Sequence, residues 1–189
     1  MKITALFVAL IVLVTACGSK KKKRDEADKN FPVLPYLLSQ VKDVDTSLYS
    51  IIKVVTVDSV ADTTFVPREN FRKEASDFLD IPDISSEKYE DDYTESKFFD
   101  ETLNRVVMTY TKKPDAKHAV LKQEITISPN QYTGDKIVSV YVDYATSSKD
   151  SAVQKRMLWM VDKNFQVTRM VQKPGGIETT TTTTVKWND

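Results

Sequence analysis

The chain has 189 residues, 27 basic and 27 acidic side chains, 41% hydrophobic residues and a single cysteine. This is enough for one domain of ordinary size with a substantial core, and it excludes a disulfide-stapled scaffold. Only four glycines occur, too few for a Gly-rich phosphate cradle.

The first elements in chain order form an address. Lys2 gives a minimal positive start, residues 3–14 are an unbroken run of apolar residues and Thr, and Val14-Thr15-Ala16 offers a small-residue cleavage end before Cys17. Twelve helical residues reach about 18 Å, short of the roughly 30 Å of a bilayer core, so a cleaved signal is expected rather than a spanning anchor. Residues 18–30 are polar and charged and read as a tether. Residues 20–24 carry five consecutive positive charges, and beyond Arg24 there are 27 acidic against 21 basic side chains, a net charge of −6. A basic tether before an acidic domain argues against a nucleic-acid partner.

Leu13-Val14-Thr15-Ala16-Cys17 resembles the lipobox of bacterial lipoproteins. That resemblance implies a signal peptide over residues 1–16, diacylglyceryl (palmitate-type) lipid on the Cys17 thiol, and a tether over 17–30. Two or three acyl chains hold a protein firmly to a membrane, at about 0.8 kcal/mol per buried CH₂. In overall layout the chain is similar to uncharacterised envelope lipoproteins of the Bacteroidota. Their surface-export signals put acidic residues soon after the cysteine, whereas Lys20 to Lys23 stand there in this chain. The resemblance therefore implies an outer-membrane anchor facing the periplasm.

One domain is expected over residues 31–189. Leu34, Leu37, Leu38 and Val41 recur at helical spacing and predict a helix over 35–44. Residues 50–59 are β-branched and apolar, which predicts a strand. Pro67 can open a helix in which Phe71, Ala75, Phe78 and Leu79 form one stripe, and Pro82 stops it. Strands are then expected over 92–98, 104–112, 119–128, 136–147, 153–161, 165–172 and 177–187, separated by short turn clusters such as Lys113-Pro114-Asp115 and Pro174-Gly175-Gly176. Short connections favour antiparallel neighbours. The expected fold is α+β, with two short helices packed on a large curled antiparallel meander. Strands apolar on both sides, such as 157–161, suggest that something must cover the sheet.

Chemistry-bearing constellations are few. His118 is the only histidine, so any triad would need it; beside Asp115 and Lys117 it reads as a solvent-facing loop residue. Asp77, Asp80, Asp83, Glu87, Glu90, Asp91, Asp92 and Glu95 form an acidic stretch without the alternating ligands and central Gly of a Ca²⁺ loop. It reads as a solvated connection. Tyr110, Tyr132, Tyr141, Tyr144, Trp159 and Phe165 read mainly as core aromatics. The expectation is a non-catalytic protein without cofactor or metal, held to the membrane through Cys17. It would dock on or support an envelope protein complex, or alternatively carry an apolar envelope ligand such as lipid, as half-barrel lipoprotein carriers do.

Overall fold

Alternation of apolar and polar residues dominates the chain beyond Tyr93, and in the computed structural model these residues pair as one open antiparallel sheet. The structure describes residues 30–188. The expected signal peptide, Cys17 and all but the last residue of the tether lie outside the described residues.

The strands are β1 (Ile52–Val57), β2 (Val60–Phe65), β3 (Tyr93–Asp100), β4 (Arg105–Lys112), β5 (Val120–Ser128), β6 (Lys136–Ser147), β7 (Ala152–Met160), β8 (Asn164–Gln172) and β9 (Thr179–Lys186). Their order across the nine-stranded sheet is β2-β1-β9-β8-β7-β6-β5-β4-β3. Strands β3 to β9 form the expected meander, and β1 then adds to the free side of β9 with its hairpin partner β2 outermost. The two ends of that order do not pair, so the sheet is not closed.

Among the described residues three α-helices accompany it: α1 (Val33–Thr46), α2 (Phe71–Glu74) and α3 (Ser76–Leu79). Helix α1 begins earlier than expected, with Pro32 at its N-cap and Pro35 inside the first turn. A first-turn proline loses nothing, because the N–H groups there have no intrahelical acceptor. The single helix expected after Pro67 is instead a 3₁₀ turn at Arg68–Asn70 followed by two short α segments that part at Ala75. Its stripe survives the break, since Phe71, Ala75 and Phe78 are all fully buried.

The second correction concerns residues 50–59, expected as one strand. The chain reverses at Asp58-Ser59, whose φ angles of 49° and 70° are both left-handed. A two-residue turn with positive φ at both positions matches the right-handed strand twist and makes a hairpin. Neither residue is the usual Gly of such a turn, so the signal was weak, and β2 was missed.

The core lies on one side of the sheet. Val33, Leu37, Val41 and Val44 of α1 join Phe71 and Phe78 against Ile125, Val140, Val142, Met157, Trp159, Phe165 and Val185. At its centre five rings meet: Trp159 lies 5.2 Å from Phe165, 5.3 Å from Trp187 and 5.3 Å from Phe78, and Phe71 lies 5.2 Å from Trp187. Polar ties join the layers. The Phe31 N–H donates to the Tyr110 hydroxyl at 3.0 Å, the Tyr93 hydroxyl donates to Val120 O at 2.9 Å, and Lys155 pairs with Asp77 at 2.5 Å. Asn30 is buried and donates its side-chain amide to Ile84 O at 2.9 Å, which ties it to the connection before β3.

Candidate functional site

Among the described residues, none packs as a layer on the opposite side of the sheet, the bare face. Strand residues alternate between faces, so the neighbours of the buried Val140, Val142, Met157, Trp159 and Phe165 point away from the helices. None of the residues on that second face is buried. Cross-strand register sets its central row: Ser96, Thr109, Glu124, Tyr141, Leu158, Gln166, Thr184, Val54 and Thr63. Nine strands at ordinary spacing make this face about 38 Å wide.

Its chemistry is mixed in a regular way. Tyr141, Leu158, Met160, Ile52 and Val54 are half-buried by their same-face neighbours. Around them stand threonine hydroxyls, with Thr168 and Thr182 3.3 Å apart. Some of its charges are engaged: Lys122 sits 3.3 Å from Glu124 and 4.9 Å over the Tyr141 ring, and Gln154 donates to Asp143 at 3.4 Å. Burial first and then Asp143 raise the pKa of the Tyr141 hydroxyl, with Lys122 and Arg156 pulling the other way. At neutral pH that hydroxyl is protonated and able to donate from the middle of the face. The face thus sets one aromatic side chain among hydroxyls and charged groups.

Hollows among the described residues open at one end of the sheet and on the helical side. One of ≈ 340 Å³ opens where β6 turns into β7, lined by Ala145, Ala152, Gln154, Met170 and Gln172 among others. A second, of ≈ 480 Å³, is polar and lined by Asp45, Arg68, Glu69 and Arg72.

His118 is not the solvent-facing loop residue that its neighbours suggested. Its side chain is only 20% exposed, and Nε2 meets the Asp92 carboxylate. The Tyr89 ring meets the imidazole edge-on at 4.6 Å, and Tyr93 stacks on it at 6.5 Å. Lys112 meanwhile donates to the His118 carbonyl at 3.0 Å. The histidine pins the loop after β4 to the segment before β3. Sequence reasoning missed this because Asp92 lies 26 residues away.

The acidic stretch disperses rather than converging. Asp77 holds Lys155, Asp83 accepts from the Ser85 N–H and hydroxyl at 3.0 and 2.7 Å, Asp92 meets His118, and Glu95 meets Lys97. Among the described residues no three His, Cys, Asp or Glu side chains group to hold a metal ion. Of the singled-out aromatics, Tyr110, Trp159 and Phe165 are core. Tyr144 is half-buried with Lys155 5.1 Å over its ring, and Tyr132 is 96% exposed in a loop. Only Tyr141 reaches the bare face.

No helix among the described residues is long and apolar enough to cross a membrane. In comparisons with known proteins the chain matches no family model, no curated protein and no solved structure.

Proposed function

We propose that this chain is a lipid-anchored envelope lipoprotein with a non-catalytic role, held to the outer membrane through Cys17 and facing the periplasm. Its domain, an α+β layer arrangement with the sheet curling over its helices, docks on an envelope protein complex. The observation that carries this reading is the bare sheet face with Tyr141 at its centre. One side of the sheet has a filled aromatic core, while the other presents a wide, mixed surface on which no third layer sits among the described residues. Such a surface offers the kind of tyrosine contact that protein partners use. Carriage of an apolar ligand is the second reading, and the ≈ 340 Å³ hollow is what favours it, being within the size of small-ligand sites.

A photo-crosslinking residue in place of Tyr141, in the anchored full-length protein, tests both. Docking predicts one recurring protein adduct that is missing when the same probe replaces the exposed Lys73 on the helical side. Adducts with lipid alone would favour carriage. No adduct above the Lys73 background would overturn the docking reading.

A further inference from the structure

We propose that β2 pairs antiparallel with β2 of a second copy of this chain, with Thr63 opposite Thr63 at the two-fold centre. Backbone geometry supplies the first argument. Val60 faces Val57 across the two-residue turn, and the Val66 N–H donates to Ile51 O at 2.9 Å. Bonding in an antiparallel pair alternates, so Val60, Asp62 and Thr64 bond to β1, while Ala61, Thr63 and Phe65 turn their N–H and C=O groups outward. Every residue of β2 is exposed. The strand carries a single charge, Asp62, and no Pro, Lys or bulge, the other devices that usually guard an edge. The opposite edge carries charges of both signs, Glu95 and Lys97 of β3 forming an ion pair 2.5 Å long.

Self-complementarity supplies the second argument and selects the occupant. Outward-bonding residues pair with one another, so only certain registers are open. Centred on Asp62, the pairing would set two carboxylates directly opposite, a repulsive arrangement. Centred on Thr63, Asp62 meets Thr64 and the largest side chain of the strand, Phe65, meets the smallest, Ala61. Phe65 is 80% exposed in the single copy, and this register covers it. Three bonded pairs then exchange about six backbone hydrogen bonds, and the bare faces of the two copies join on one side. A six-residue strand pair is at the small end of protein interfaces, so the pairing is dynamic and covalent trapping suits it.

The test is Thr63→Cys in the anchored full-length chain, oxidised in intact cells. Facing residues of a bonded pair have Cα atoms about 5.5 Å apart, within disulfide reach. A Ser59→Cys control at the hairpin tip would lie about 27 Å from its counterpart in this register, and the parent chain reports any contribution from Cys17. The expected result is a disulfide dimer in several-fold excess over both controls. Ala61→Cys combined with Phe65→Cys should trap the same dimer, and adding Thr63→Pro should abolish it. In the single copy the Thr63 N–H bonds nothing in the ladder, so proline there costs no sheet bond. Unchanged Trp fluorescence of each variant establishes that it folds. Trapping no greater than Ser59→Cys, adducts only with a different protein, or dimer that persists with Thr63→Pro would each overturn the proposal.

Discussion

Phe78→Ala probes whether the short helical segments are bound to the sheet as strongly as their burial implies. Phe78 is fully buried and meets Trp159 edge-on at 5.3 Å and Phe165 at 5.5 Å. Truncating a buried Phe to Ala costs about 3–5 kcal/mol, from lost transfer energy and the cavity left behind. Edge-to-face ring pairs add about 0.5–1.5 kcal/mol each beyond area, which puts this site in the upper part of that range. For a domain of this size each kcal/mol moves the midpoint by roughly 2–4 °C, so a fall of about 10–20 °C is expected. Urea unfolding followed by Trp fluorescence reads it directly, because both tryptophans of the chain, Trp159 and Trp187, sit in this ring cluster. Phe65→Ala on the exposed edge serves as the contrast, with a change within about 0.5 kcal/mol. A loss below about 1 kcal/mol for Phe78→Ala would refute the packing argument, since α2 and α3 would then be adherent rather than structural.

Cys17→Ser should leave the chain without lipid, and labelled fatty acid still incorporated in that variant would refute the anchor. His118→Ala should lower stability by about 1 kcal/mol, modest because Asp92 is 37% exposed; Asp92→Asn should cost a similar amount, and the double variant much less than the sum, checked by a double-mutant cycle in urea. The Tyr93 hydroxyl titrates at about 12 rather than 10.0, raised by burial and then by Asp92 and Tyr89. Because the folded state holds this proton more tightly, its contribution is complete below pH 10 and lost as pH climbs towards 12. Tyr93→Phe should therefore flatten the alkaline decline in urea midpoint over that window, and an unchanged slope would mean that Tyr93 does not drive it.

Most of the sheet was legible because its signals are local. The strand expected over 136–147 is β6 to the residue, and those expected at 104–112, 119–128 and 165–172 differ from β4, β5 and β8 by one residue at the start. Alternation and polar turns suffice where consecutive strands pair. The β1–β2 hairpin escaped because Asp58-Ser59 adopts a conformation that Asn-Gly would have announced. Its place was also unreadable, since β1 pairs with β9, more than a hundred residues away in the chain. His118 failed for the same reason: Asp92, Tyr89 and Tyr93 reach it through tertiary packing, and only its polar neighbours are visible in sequence.

The bare face shows where an inference from side-chain character overreached. Two-sided apolarity of residues 157–161 predicts a surface in need of cover, and strict alternation would put Ile137 on the same face as Tyr141. Ile137 instead packs against the core beside the register irregularity near Thr126 and Ile127, because a bulge resets which way the following residues point. Leu158, Met160 and Tyr141 do stand on the second face, but only half exposed. On a pleated sheet each side chain is flanked by opposite and diagonal neighbours that remove much of its surface from water without any further layer. Apolar residues at such positions are ordinary, so two-sided apolarity alone demands neither a lipid nor a third layer. What separates this face from an ordinary solvated one is its arrangement. Tyr141 lies within a continuous row reaching from the guarded edge at β3 to the unguarded edge at β2. A second copy paired at β2, as proposed, would enlarge that same face.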